Sequence, residues 1–332
     1  MKTGRYTYLL FLFLVVLLLV FIGLHLSSGA TSVNGKDFFL ALFSFDDGQN
    51  TQILIRELRL PRLVMALIAG SSLAVSGMLM QSLFQNPLAG PYVLGITSGS
   101  SLFVAIALLL GIPTFFNEIG IISSSILGAI IFSLLLLFLS SKIKSQVSLL
   151  LVGLMLGSFT GAIVGILQNV SNAQQLKQFV LWSMGTLQNT SFDQLPWILF
   201  VFIFSVILSI STIKPLNALV LGVRSAQHLG IELKKTRVLL ISITSLFTGL
   251  TTAFCGPIAF VGLAVPNLTK MLFGTQNHRV LLPANLLLGS FFLVMADTVI
   301  QWLEPIVLIP INAFTSLLGA PFVLFIVVKR MR

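Results

Sequence analysis

The run Ala69-Gly70-Ser71-Ser72-Leu73-Ala74-Val75-Ser76-Gly77 sits inside an apolar stretch, 61–84, that carries no charge after Arg62. A membrane-crossing helix needs about 20 mostly apolar residues, and this stretch is long enough. Gly70 and Gly77 stand seven residues apart and share one helix face. Small residues let membrane helices approach closely. A second run, Thr248-Gly249-Leu250-Thr251-Thr252-Ala253-Phe254-Cys255-Gly256, repeats the pattern with Gly249 and Gly256. Two readings fit: generic close packing, or an inverted repeat relating spans 2–5 to spans 7–10, the common plan of transporters.

Composition widens the argument. Of 332 residues, 56% are hydrophobic and 8% charged, against roughly a quarter charged in a soluble domain. An ordinary cytosolic enzyme, a disordered chain and a nucleic-acid binder are excluded. The formal net charge of +10 does not reverse this, because the basic residues lie in short runs between long apolar stretches. Hydropathy predicts an all-α, polytopic membrane protein with about ten helices. Their expected ranges are 6–26, 61–84, 92–111, 118–140, 146–168, 192–213, 237–257, 262–273, 281–303 and 311–328. The first follows Lys2 and Arg5 and precedes Ser27-Ser28-Gly29-Ala30. It exceeds the apolar core of about 7–15 residues usual in a signal peptide, so an uncleaved helix is expected. The eighth is short and holds Pro266, a break tolerated where protein or a cavity covers the freed backbone groups. The single cysteine, Cys255, excludes a disulfide framework and a cysteine-built metal site.

Charge sets the expected orientation. With the N-terminus inside, the cytoplasmic segments collect Lys2, Arg5, Lys142, Lys144, Lys214, Arg224, Lys234, Lys235, Arg237, Lys270, Arg279, Lys329, Arg330 and Arg332. The outer segments take Lys36, Arg56, Arg59, Arg62 and Lys177, with most of the acids. This Lys/Arg asymmetry is the physical determinant of topology. It places both termini in the cytoplasm and, with the lack of an outer-membrane-type strand pattern, favours a bacterial plasma membrane for a single transmembrane domain over 1–332. Outer segment 27–60 is polar and loop- or strand-like, and 169–191 suits a short interfacial helix. Inner segment 214–236 carries Leu216, Leu219, Val223, Ala226 and Leu229 near helical spacing, the pattern of a short amphipathic helix. It is either an idle loop or a place where an external motor pushes.

Little catalytic chemistry is on offer. Asp297 is the only acid well inside a span; His25 lies at a helix end, and His228 and His278 lie in cytoplasmic segments. Neither metal-ligand spacing nor a nucleophile–base arrangement can be argued, so a membrane-embedded enzyme is disfavoured. Intramembrane ionisable groups usually mark pathways; Asp297 has a transport role or a structural hydrogen-bonding one. A secondary carrier working without ATP stays open as the alternative class.

From Arg59-Leu60-Pro61-Arg62 onward a family resemblance builds. Gln81, Asn86-Pro87-Leu88-Ala89, Pro91, Leu94-Gly95 and Ser98-Gly99 follow, then Trp182 with Gly185, and Ala226 with Leu229-Gly230. Gly256-Pro257-Ile258, Phe260-Val261-Gly262-Leu263 and Val265-Pro266 come next. His278-Arg279, Leu282-Pro283, Gly289, Ala296-Asp297, Thr315 and Gly319-Ala320-Pro321-Phe322 close the series. The chain resembles the FecCD-type permeases, the membrane subunits of type II ABC importers for iron–siderophores, heme and cobalamin. The resemblance implies a second permease subunit, identical or related, two cytosolic ATPases and an extracellular substrate-binding lipoprotein. ATP would bind the ATPases and no cofactor the permease, consistent with the lack here of a G-x-x-x-x-G-K-[ST] loop. It implies ATPase coupling through the segment with Gly222, Ala226, Leu229 and Gly230, and binding-protein docking through Arg59 and Arg62; Arg56, one turn away, is expected to join them, interfacial anchoring or an intramolecular pair being the other reading of these arginines. Arginine's planar fork suits carboxylates on such a partner. Gly70, Gly77, Asn86, Pro87, Gly256, Pro257, Pro266 and Asp297 fall to helix packing or the pathway. The expected cargo is a ferric siderophore, with heme or cobalamin as the alternative. Three stretches depart from the family pattern: in Val265-Pro266-Asn267-Leu268-Thr269-Lys270 the usual histidine and arginine are Asn267 and Lys270, Gln301 replaces a usual arginine, and Leu308-Ile309-Pro310-Ile311-Asn312 lacks the usual acid and glycine. The Gln301 change suits a heterodimer in which a related permease supplies the missing basic contact.

Overall fold

A computed structural model describes residues 4–28, 50–112, 118–143 and 145–331. Lys2, Lys144, Arg332 and the polar segment 29–49, with Lys36, Asp37, Asp46 and Asp47, lie outside the described residues. Those described form helices and connections with no strand. In chain order the helices are α1 (Gly4–Ser27), α2 (Asn50–Phe84), α3 (Ile96–Leu109), α4 (Glu118–Lys142), α5 (Gln146–Val170), α6 (Ala173–Ser183) and α7 (Leu195–Ser211). They continue with α8 (Ile213–Val220), α9 (Val223–His228), α10 (Leu233–Cys255), α11 (Val261–Phe273), α12 (His278–Leu303) and α13 (Ile311–Met331). Among the described residues seven helices are long and apolar enough to cross a membrane, and α3, α11 and α13 supply shorter apolar stretches. Together they occupy the ten positions that hydropathy marks.

Three boundaries differ from expectation, each for a local reason. Pro61 reads as a helix start, because it lacks an N–H and crowds the carbonyl four residues back. Yet α2 begins at Asn50 and runs through it. A π-turn, Ile55–Arg59, precedes the proline, and the Leu60 N–H reaches back to Ile55 O. That one-residue bulge loosens the backbone where the proline would disrupt a regular turn. α3 is shorter than 92–111, because Gly95, at φ 75°, separates it from a single 3-10 turn over Pro91–Leu94. Segment 214–236 holds two helices rather than one, parted at Gly222, whose φ is 99°.

Helices α2 and α10 pack against each other at the centre. The early half of α2 shares a core with Leu250 and Cys255, and its late half with Leu240 and Phe247, so the two run antiparallel. α2 packs on α11 and α12, and α10 packs correspondingly on α3 and α4. α3 lies on α4 and α5; α11 lies on α12 and α13. Each half therefore repeats the other with opposite direction, and each central helix packs into the opposite half. The glycines mark the crossings. A Cβ on Gly70 would run into the Gly289 carbonyl of α12, and one on Gly77 into the Gly262 carbonyl of α11. In the other half Gly249 faces Ala129 of α4, where an added Cβ would stand 3.1 Å from the alanine's. Close backbone approach, rather than large side chains, holds the centre together.

Candidate functional site

The two ends of the bundle carry different chemistry. At one end Asp297 of α12 gathers α1, α2 and α12 around a buried carboxylate. Arg62 clamps it with two bonds, Nε to Oδ2 at 2.8 Å and Nη2 to Oδ1 at 2.9 Å. His25 donates from Nε2 to Oδ2 at 2.7 Å, and Gln301, one turn along α12, donates from Nε2 at 3.1 Å. The Asp297 side chain is 4% exposed and that of Arg62 15%. An isolated charge at such depth would be costly, and pairing with hydrogen bonds to the remaining lone pairs removes most of that cost. Nearby, Arg59 is buried and its Nη1 donates to the Leu26 carbonyl. Arg56 lies over the Phe192 ring, 4.7 Å from its centroid, with Glu57 at 3.9 Å.

Each central helix then ends in a proline-containing break that leads into a short helix. After α2, Gln85 takes a left-handed conformation at φ 48°. Asn86 then makes an Asx turn, its Oδ1 accepting the Leu88 N–H at 2.9 Å. The Pro87 carbonyl accepts from Asn267 Nδ2 of α11 at 2.8 Å. That amide also donates to the Leu263 carbonyl at 2.8 Å, one turn back in a helix weakened by Pro266. After α10, Gly256 turns at φ 70° against the Trp182 carbonyl, with Pro257 beyond it. Asn312 Oδ1 accepts the Ala259 N–H at 3.0 Å there. Asn267, Gln301 and Asn312, one residue from each departing stretch, thus each carry a specific hydrogen bond.

The opposite end carries α8 and α9. α8 buries Leu216 and Leu219 against the bundle, and α9 buries Ala226. Val220, Leu221 and Leu229 stay exposed, Leu229 at 62%. Gly222 and Gly230 bracket α9 with positive φ, at 99° and 79°. Beside α8 opens a cavity of about 810 Å³ whose lining includes Gln81, Asn86, Leu221, Asn267, Lys270 and His278. Lys270 Nζ donates to Gln81 Oε1 at 3.0 Å on its wall.

A family model for the FecCD transport family matches residues 16–329. The chain belongs to the FecCD transport family. Among its relatives, the hemin transport system permease protein of Yersinia pestis is 33% identical over 96% of this chain and 95% of its own length. A vitamin B12 import system permease protein of Escherichia coli is 33% identical over 96% and 94%, and that of Vibrio cholerae 36% over 93% and 92%. A solved inward-facing metal-chelate type ABC transporter shares the fold with a TM-score of 0.83, at 31% identity over 95% of this chain and 97% of that one.

On this FecCD fold the residues expected to dock a binding protein, Arg56, Arg59 and Arg62, lie at one end, and those expected to couple to an ATPase lie at the other. Arg62 and Asp297, assigned to different roles from sequence, are direct partners. Gly70 and Gly77 are helix crossings. Asn86 and Pro87, and Gly256 and Pro257, are the two breaks. Sequence reasoning passed over His25, which sits at the end of an otherwise uniformly apolar helix; its burial beside an acid 272 residues away leaves no local signal. His278 stands in a family motif, but its bond to Asn217, 61 residues away, has no sequence signal.

Proposed function

We propose that the chain is the permease subunit of an ABC importer that carries a ferric siderophore across a bacterial plasma membrane, with both termini in the cytoplasm. The FecCD match over nearly the whole chain carries the importer-permease part of this reading. The exposed apolar residues of the α8–α9 segment support it, because Val220, Leu221 and Leu229 offer a partner a greasy seat on an otherwise basic face. Two ATPase subunits bind ATP and press on that seat. A second permease, identical or related, completes the path, and an extracellular binding lipoprotein docks at Arg56, Arg59 and Arg62. A single-chain domain with no ATPase of its own follows from the same reading.

Hemin or vitamin B12 is the second cargo reading, favoured by the relatives named above. The deciding experiment reconstitutes the permease with its genomically adjacent ATPase and binding protein in vesicles. Radiolabelled ferric siderophores, hemin and vitamin B12 are then offered in competition. ATP-dependent uptake of a ferric siderophore is the expected result. Accumulation of any of these against a gradient without an ATPase would establish a secondary carrier instead.

A further inference from the structure

We infer that His278 is the positioning residue that transmits movement of the α8–α9 segment to the helices at the centre of the bundle. The inference rests on the permease reading above.

α8 contacts the bundle in two chemically different ways. Leu216, Leu219 and the nearby Ala226 bury apolar surface, and such contacts are non-directional, so they tolerate sliding. Asn217 does the opposite. Its Oδ1 accepts both the backbone N–H of His278, at 2.8 Å, and the ring Nδ1–H, at 3.0 Å. Its Nδ2 donates to Asn277 Oδ1 at 3.1 Å, and Asn277 caps α12 by accepting the Arg279 N–H at 3.0 Å. With the proton on Nδ1, the far ring nitrogen of His278 is an acceptor, and the Ser82 hydroxyl of α2 lies 2.8 Å from it, its one proton shared between this nitrogen and the Met78 carbonyl, also at 2.8 Å. His278 is 2% exposed. One buried imidazole therefore ties α8 to the first turn of α12 and to the last turns of α2, with both nitrogens used. Gln85 Nε2 adds a parallel tie from the end of α2 to the Leu219 carbonyl at 2.9 Å.

Whatever moves α2 and α12 moves the centre, because they meet backbone to backbone at Gly70 and Gly289, and α2 meets α11 at Gly77 and Gly262. His278 also lines the cavity beside α8. That open space gives α8 room to shift; without the imidazole only the Asn217 bonds to the His278 backbone and to Asn277, and the Gln85–Leu219 bond, would hold it, so α12 and α2 would follow it less closely. The directional bonds at His278 remove that slack.

The test is the number of chelates imported per ATP hydrolysed, in vesicles holding the permease with its ATPase and binding protein. His278→Ala is expected to lower this ratio about five- to tenfold, the effect of two ordinary hydrogen bonds, while ATP hydrolysis persists. Asn217→Ala, at a half-buried position that a truncation perturbs less, is expected to give a similar loss. The double variant should be no worse than either single one, as for residues acting in one chain of contacts. An unchanged ratio in Asn217→Ala, or additive losses in the double variant, overturns the inference alone. Wild-type vesicles with no ATP-dependent uptake overturn the permease reading and the inference with it.

Discussion

Asp297→Asn probes the buried cluster most directly. The native carboxylate accepts two bonds from Arg62 and one each from His25 and Gln301. Asparagine keeps the shape but removes the negative charge and turns one acceptor into a donor. The Arg62 guanidinium, 15% exposed, is left without its counter-charge. Removing one member of a buried ion pair costs about 3–5 kcal/mol. At about 2 °C per kcal/mol for a large chain, the melting point in mild detergent should fall by about 6–10 °C. Cys255 provides the assay, since it is the chain's single cysteine and is buried. A thiol-reactive dye therefore reports unfolding directly. Replacing both partners, Arg62→Leu with Asp297→Leu, should recover most of the loss, because desolvation offsets much of the attraction in the native pair. An Asp297→Asn melting point within about 1 °C of the native one would refute the reasoning, as would a double variant no better than the single.

Gly77→Ala should destabilise by about 1–3 kcal/mol, because its Cβ meets the Gly262 backbone; Gly161→Ala, which meets nothing within 4 Å, should not, and the same dye assay separates them. Leu229→Glu changes an exposed side chain, so membrane abundance should hold while copurification of the ATPase falls about tenfold, the effect of roughly 1.4 kcal/mol. Unaltered copurification would remove Leu229 from the seat. Arg56→Glu, at a side chain 33% exposed, should weaken association with the binding protein, and more at low salt than at high, since pairs open to solvent are screened; surface-bound binding protein titrated at two salt concentrations reads this out.

The helices were legible because each rests on a contiguous apolar run; the glycine spacing leaves the inverted repeat level with generic close packing, and Gly256 ends α10 rather than marking a crossing as Gly77 does. The boundaries were less so. Pro61 is a strong start signal, and only the π-turn before it lets α2 continue from Asn50. Of the site, the positions were readable from family motifs, but the partnerships were not. Arg62 and Asp297 lie 235 residues apart, and nothing local in either span announces the other. Gln301 reads as the loss of an arginine, while in space it is one more donor to the carboxylate. Asn217 belongs to no motif, and its bond to His278 depends on where two distant segments meet.

The swapped packing of the halves has a consequence for how the protein is made. Arg62 is synthesised 235 residues before Asp297. At about 5–20 residues per second, that gap lasts on the order of ten to fifty seconds. During it the nascent α2 holds a cation with no counter-ion and a glycine face whose partners, Gly262 and Gly289, do not yet exist. The ribosome thus delivers α2 to the translocon unfinished, and that helix must stay at the lipid boundary or in an insertase's care until the last third of the chain arrives.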